Sequence, residues 1–193
     1  MSNDKAVNIL FSKKDIDEKV CELARRIEND YAGREVLFVC VLSGSMMFVT
    51  DLIREIGDDV SVRLDVLSAS SYEGTESSGK VRINLDVKAD LKDKDVIVVE
   101  DIVDTGRTLD YILYHLKYQK PRSLKVCSFL DKPCRRANGI NISIDYLGFT
   151  IRNHFVVGYG LDYNQQYRNL PYIKTLEECK HSSCVECENS SQL

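Results

Sequence analysis

No stretch of this 193-residue chain is apolar for long enough to cross a bilayer, which excludes a helical membrane span. The opening residues, Met1 to Lys5, lack the basic and apolar regions of a secretory signal, so the chain is expected in the cytoplasm. An excess of one charge is also missing. Its 26 basic and 30 acidic residues leave −4, which argues against a broad nucleic-acid footprint. There is no internal repeat, no basic face and no added helix-turn-helix segment. His115 has no evident ligand partner in the sequence, and no chemistry is assigned to it or to His154. The seven cysteines would suggest a disulfide framework in a secreted chain, but in a cytoplasmic one they read as reduced thiols. Cys40 and Cys127 sit inside apolar runs and read as small buried residues.

What is present is concentrated between Val96 and Leu109. A β-branched run, Val96 to Val99, stops at two carboxylates, Glu100 and Asp101. A third, Asp104, opens a Thr-Gly-Arg-Thr turn that leads into an amphipathic helix. A continuous apolar run predicts a strand buried on both faces, as in a parallel sheet. Ligands of such sheets bind beyond the carboxyl ends of the strands. The acids there suit ribose hydroxyls and a hard cation such as Mg²⁺. The turn, at a helix N-terminus, suits a phosphate.

The rest of the chain reads as strands alternating with helices, so the fold class is α/β with a mostly parallel central sheet. Ser12 and Asp15 form a capping box before a helix whose apolar positions are Ile16, Val20, Leu23, Ala24 and Ile27, with Gly33 at its stop. Strands are predicted over Val36 to Leu42, Val60 to Leu67, Val81 to Val87 and Leu124 to Leu130, with two short ones over Ile144 to Phe149 and Phe155 to Tyr159. Residues 43–45 form a turn, and Met46 to Ile56 continues as a helix. Lys92 to Asp95 reads as a charged turn. Ser68 to Lys80 is small, polar and flexible, and the strands on either side of it are expected to pair. Leu109, Ile112, Leu113 and Leu116 form one helical stripe. Residues 1–178 are expected to form one domain and 179–193 a polar, disordered tail. In that tail Cys179, His181, Cys184 and Cys187 have metal-like spacing, but the ligands are crowded and no second Cys-x-x-Cys exists, so the tail is expected to be dispensable.

The acid pair followed by Asp-Thr-Gly and Thr resembles the phosphoribosyl diphosphate signature of type I phosphoribosyltransferases. Three further segments narrow the resemblance. Ser70 to Gly79 looks like the mobile loop of bacterial 6-oxopurine enzymes, Leu130 to Pro133 like their purine-recognition lysine, and Phe155 to Tyr163 with Tyr167 to Ile173 like their purine-stacking segment. From about Leu10 to Ile173 the chain is similar to the hypoxanthine (hypoxanthine-guanine) phosphoribosyltransferase family.

That resemblance implies a type I phosphoribosyltransferase fold with a small hood built from the terminal segments. It implies purine salvage: transfer of phosphoribosyl from phosphoribosyl diphosphate to hypoxanthine, and to guanine, with Mg²⁺ as cofactor. Glu100 and Asp101 would hold the ribose hydroxyls, directly or through Mg²⁺. Asp104, Thr105, Gly106, Arg107 and Thr108 would cradle the 5′-phosphate, with Arg107 facing solvent, and Asp104 would accept a proton at purine N7. Leu42, Ser43 and Gly44 would form the pyrophosphate loop, around a peptide bond often cis in the family, with Arg168 adding a cation. Ser71 and Tyr72 would belong to a lid that excludes water. Lys132 would donate to the C6 oxygen, which excludes adenine. Phe155 and Ile102 would sandwich the base, the Val156 backbone would read its edge, and Asp162 would help hold a second Mg²⁺ through water. Partners would be these substrates and further copies of the chain, as a homodimer or homotetramer, with no nucleic acid and no membrane.

The chain departs from the family pattern at two places. Ser43 stands where many members have Lys, and Arg152 to His154 replaces a Pro and an acid beside Phe155. A second class of function remains: a regulator that senses phosphoribosyl diphosphate and binds nucleic acid. Such a regulator would need a basic face and would have no use for Lys132 together with the Phe155 segment.

Overall fold

A computed structural model of the chain describes residues 8–71 and 81–176. Five strands run parallel: β2 (Glu35–Leu42), β3 (Ser61–Ser71), β5 (Asp95–Val103), β6 (Ser123–Asp131) and β7 (Tyr146–Thr150). An antiparallel edge strand, β4 (Val81–Leu85), completes a sheet of order β4-β3-β2-β5-β6-β7. Helices α1 (Lys13–Tyr31) and α2 (Met46–Glu55) cover one face, and α3 (Arg107–Tyr118) covers the other.

The alternation of side chains along the central strands builds both layers. Val36, Phe38 and Cys40 of β2, with Ile97 and Val99 of β5, pack toward α1 and α2. Leu37, Val39 and Val41, with Val96 and Val98, pack toward Leu109, Ile112 and Leu116 of α3. A run apolar at every position suits a strand with helices on both sides. The capping box of α1 forms as its sequence predicts: the Asp15 amide donates to Ser12 Oγ (3.3 Å) and the Ser12 amide to Asp15 Oδ2 (2.8 Å).

A second sheet joins the two ends of the described chain. Strands β1 (Ile9–Phe11), β9 (Ile173–Thr175) and β8 (Val156–Val157) pair antiparallel and form the hood. Tyr159 Oη ties the hood to α2 by donating to Asp51 Oδ2 (2.9 Å).

Five expectations change. Residues 68–71, read as flexible, continue β3, because β4 pairs with them and completes their backbone hydrogen bonds. The strand expected over Phe155 to Tyr159 shrinks to Val156–Val157, since Gly158, Tyr159 and Gly160 all adopt positive φ. The strand expected from Ile144 begins at Tyr146, and Asp95, expected in a turn, opens β5 and is buried. His115 has a partner: its Nε2 lies 2.9 Å from Asp86 Oδ2. Among the described residues no helix is long and apolar enough to cross a membrane. The Ser71 side chain, Tyr72 and the Cys-containing tail lie outside the described residues.

Candidate active site

The carboxyl ends of β2, β5 and β6 form one rim. At the end of β2 the peptide bond between Leu42 and Ser43 is cis. Behind this loop Ser45 is fully buried and its Oγ donates to the Val41 carbonyl (2.8 Å), which anchors the turn into α2. Gly44 sits against Asp101: a Cβ there would lie 1.9 Å from Asp101 Oδ2. Gly160 of the hood presses on the other side, where a Cβ would lie 2.0 Å from the Gly44 carbonyl oxygen. The loop therefore threads between an acid of the main sheet and the backbone of the hood. Neither glycine tolerates a side chain without a shift.

β5 delivers Glu100 and Asp101 to this place. Glu100 is buried, and desolvation raises its pKa well above the usual carboxylate range, with the neighbouring charge of Asp101 adding to it. Burial also raises Asp101, to about 6; its own amide and that of Ile102 oppose the rise, as does the Arg168 guanidinium. Two adjacent acids in a desolvated site do not ionise together unless a cation joins them. Arg168 is only partly available for that. Its guanidinium donates to the Gly160 carbonyl (2.6 Å) and pairs with Asp162 (2.7 Å), which also accepts from the Gln165 amide (2.9 Å). Leu42, Ser43, Gly44, Asp101, Asp162 and Arg168 thus fall in one neighbourhood. Among the described residues no group of three His, Cys, Asp or Glu side chains could hold a metal alone. Mg²⁺ usually takes one or two carboxylates and completes its shell from phosphates and water, and the acid pair fits that use.

Beyond β5 the chain turns into α3 through Asp104, Thr105 and Gly106. Gly106 has φ 78° and packs under Ile140 and Arg136, so a Cβ there would be both strained and crowded. No side chain caps the first turn of α3, which leaves its amides for an anion. Thr105 and Thr108 are half-buried at this turn, and Arg107 is exposed.

The segment after β6 clamps the turn from below. Lys132 is 6% exposed, and its Nζ lies 3.4 Å from Asp104 Oδ2. Arg135 Nε donates to Asp104 Oδ1 (3.2 Å) and Arg136 Nη1 to the Asp104 carbonyl (2.8 Å), while Arg136 also pairs with Asp131. Sequence reasoning singled out Lys132 and missed both arginines. The available signal was a basic run immediately after the carboxyl end of a central strand. Phe155 stands at the hood's edge, 49% exposed, with its ring edge-on to Tyr163 at 5.5 Å. Val156 is buried in β8 and Ile102 is half-buried against the core.

A phosphoribosyl transferase domain model matches residues 7–164. The chain is 46% identical over 171 residues to the hypoxanthine-guanine phosphoribosyltransferase of Streptococcus thermophilus, covering 88% of this chain and 93% of that one. It is also 46% identical over 178 residues, 92% of its length, to the bifunctional protein TilS/HprT of Listeria monocytogenes, of which it spans 27%. A crystal structure of a hypoxanthine-guanine phosphoribosyltransferase from Bacillus anthracis superposes with a TM-score of 0.81 at 45% identity, covering 88% of this chain and 98% of that one.

Proposed function

This chain belongs to the phosphoribosyl transferase domain family, and from that membership we propose that it performs purine salvage, transferring the 5-phosphoribosyl group from phosphoribosyl diphosphate to hypoxanthine and guanine. The purine N9 forms a bond to ribose C1′ as the bond from C1′ to the diphosphate oxygen breaks, giving a nucleoside monophosphate and pyrophosphate. The observation that carries this reading is the pair of Glu100, buried, and Asp101, half-buried, both raised by desolvation and without full compensation, beside an uncapped helix N-terminus.

Each residue's part follows from its chemistry. The first-turn amides of α3, with Thr105, Gly106, Arg107 and Thr108, hold the 5′-phosphate. Glu100 and Asp101 hold the ribose hydroxyls and one Mg²⁺, with Asp162 assisting at a second. Bound there, Mg²⁺ supplies positive charge to the departing diphosphate. Leu42, Ser43 and Gly44 offer backbone to that diphosphate, and Arg168 turns its charge toward it. Asp104 takes the purine proton at N7. Lys132, now on Asp104, moves to the C6 oxygen when a base enters, and Phe155 and Ile102 enclose the ring with the Val156 backbone at its edge. Ser71 and Tyr72 contribute to a lid that keeps water from an oxocarbenium-like ribose. The protein works in the cytoplasm as a homo-oligomer.

The regulator reading is weaker, because sensing phosphoribosyl diphosphate has no use for a buried lysine at a base pocket. Pyrophosphate release should be assayed with Mg²⁺, phosphoribosyl diphosphate and each of hypoxanthine, guanine, xanthine and adenine. Turnover with hypoxanthine and none with adenine is expected. Binding of phosphoribosyl diphosphate without turnover of any 6-oxopurine would transfer the case to the regulator.

A further inference from the structure

The connection from β6 to β7 holds the one Asn-Gly dipeptide of the chain, Asn138-Gly139. It forms the tip of a β-turn in which the Ile140 amide donates to the Ala137 carbonyl (3.1 Å). Gly139 has φ 81°, a conformation that the third residue of such a turn takes and that glycine adopts without strain. Both residues are exposed, and a Cβ on Gly139 would meet nothing within 4 Å. Among the described residues the Gly139 amide donates to no acceptor and the Asn138 side chain has no hydrogen-bond partner. The two flanks of this turn are tied to the proposed phosphate site. Before it, Arg136 Nη1 donates to the Asp104 carbonyl (2.8 Å) and the Ala137 amide to the Thr105 carbonyl (3.0 Å). After it, Ile140 and Ile142 pack on Gly106, where a Cβ would lie 2.9 Å from Ile140 Cγ2 and 3.0 Å from Ile142 Cδ1. The Asn-Gly turn therefore joins the two halves of the support beneath Asp104, Thr105 and Gly106.

We propose that Asn138 is a site of spontaneous deamidation and isomerisation, and that this modification loosens the phosphate turn before α3. The Gly139 nitrogen attacks Asn138 Cγ, gives up its proton, and expels the side-chain nitrogen as ammonia, which closes a five-membered succinimide. Water then opens the ring. Attack at Cγ leaves aspartate on the original main chain. Attack at the main-chain carbonyl carbon breaks the original peptide bond and leaves isoaspartate, with the chain running through Cβ and Cγ. Overall one water enters and one ammonia leaves, with no change of oxidation state. Three features favour this position. The attacking residue has no side chain to block the approach, its N–H is not held by an acceptor, and no partner fixes the Asn138 amide. Asn141 is followed by Ile142, whose β-branched side chain crowds the same attack. Asn84 is held in β4 by its donation to Ser70 Oγ (3.0 Å). Isoaspartate adds one atom to the main chain inside a turn closed by a single hydrogen bond. Ala137 and Ile140 then cannot both keep their places under the phosphate turn. The chemical step stands on the turn alone, whereas its consequence for phosphate binding rests on the proposed function.

The test ages the full chain, folded, in warm and mildly alkaline buffer made with heavy-oxygen water, beside an Asn138→Gln variant. Trypsin releases residues 137–152 as one peptide, which carries Asn138 and Asn141 together and compares them under identical conditions. Mass spectrometry should find the heavy oxygen at Asn138, entering at least about tenfold faster than at Asn141, with aspartate and isoaspartate forms separated by retention. The modified protein carries an added negative charge and is isolated by anion exchange. Its dissociation constant for phosphoribosyl diphosphate, read by calorimetry, should exceed that of the unmodified fraction by about 2- to 10-fold, the worth of one weakened hydrogen bond or phosphate contact. Asn138→Gln, aged in the same way, should keep the affinity of the fresh protein. Conversion of Asn138 no faster than Asn141 overturns the proposed site. Conversion with an unchanged dissociation constant overturns its effect on the phosphate turn. Turnover of the fresh protein is measured in parallel, so failure of the salvage reading shows before ageing and failure of this proposal only after it.

Discussion

Strand β5 carries buried acids at both ends, and the two ends treat them in opposite ways. Asp95 opens the strand and is 1% exposed. Arg34 and Arg122 both pair with its Oδ2, and Ser123 Oγ donates to its Oδ1 (2.6 Å). At the other end Glu100 and Asp101 lie side by side in a desolvated site, where the amides of Asp101 and Ile102 and the Arg168 guanidinium oppose the raised pKa of Asp101, and Arg168 is shared with Gly160 and Asp162. Burial alone does not mark a functional acid. Asp95 is buried and satisfied from within the chain, so its chemistry is complete. The acids at the carboxyl end are short of positive charge, which a Mg²⁺-bearing substrate would bring.

The largest effect should come just past the unsatisfied end. Asp104 takes two side-chain cations, Lys132 and Arg135, and in the proposed reaction it also accepts a proton from the base. Asp104→Asn keeps the shape of the turn and leaves the amides of α3 for the phosphate. Turnover should fall by roughly 10²–10⁴, the usual worth of a positioned acid or base, while phosphoribosyl diphosphate binding, followed by calorimetry, changes little. Wild-type turnover in this variant would remove Asp104 from the chemistry.

At the satisfied end the prediction is about stability and not rate. Arg34→Ala with Arg122→Ala leaves Asp95 buried with only Ser123 as a side-chain partner. Removing the partners of a buried charge typically costs about 3–5 kcal/mol, which urea unfolding would read. Below the new midpoint, turnover should be normal. A double variant as stable as wild type would mean that Asp95 takes up a proton or reaches water, and the contrast between the ends would lose its basis.

How much of this contrast the sequence carried depends on how local its causes are. The acid pair after Val99 was legible because strand period and acid position sit within six residues. The central sheet, the capping box at Ser12 and the α3 stripe were legible for the same reason. Asp95 read as part of a charged turn, because Arg34, Arg122 and Ser123 reach it from other parts of the chain. Arg135 and Arg136 looked like solvated bases until the fold laid them under Asp104. Strands β1 and β9 have three residues each, too few to show a period. They exist because each end of the domain completes the other's hydrogen bonds.

Lys132 tests whether the cation below Asp104 belongs to the turn or to the base. Among the described residues its Nζ makes a hydrogen bond to Asp104 Oδ2 at 3.4 Å, a long contact that a C6 oxygen could replace. A hydrogen bond from a charged donor contributes roughly 1.5–3 kcal/mol, so Lys132→Ala should lower kcat/KM for hypoxanthine by about 10- to 150-fold. In wild type, adenine presents a donor to a donor. Losing the lysine should narrow the gap between adenine and hypoxanthine. An equal loss for every base would assign Lys132 to holding the turn.

The smallest expected effect runs opposite in sign. Desolvation lifts Asp101 from its ordinary 3.8 to about 6, so the folded chain binds a proton there more tightly than the unfolded chain does. Stability from this group is fully present below about pH 4 and is lost as pH rises through about 6. Asp101→Asn holds this one side chain neutral at every pH. At pH 7.5 it should therefore stabilise the substrate-free protein, by at most about 3 kcal/mol for a shift of about two units, or at most roughly 6–12 °C in thermal midpoint at roughly 2–4 °C per kcal/mol. Near pH 4 the wild-type carboxyl is also protonated and the two midpoints should meet. Turnover should be lost across the whole range, since in the proposed reaction the carboxylate would draw Mg²⁺ and order the ribose hydroxyls. With Mg²⁺ and phosphoribosyl diphosphate added, wild type should regain stability more steeply between pH 5 and 7 than the variant does. Glu100, raised by the same burial, titrates with Asp101 as a pair, so the wild-type curve should be broad. If Asp101→Asn proves no more stable than wild type at pH 7.5, the acids at the carboxyl end are as well satisfied as Asp95. The carboxyl end of β5 would then have no shortage of charge for a substrate to fill.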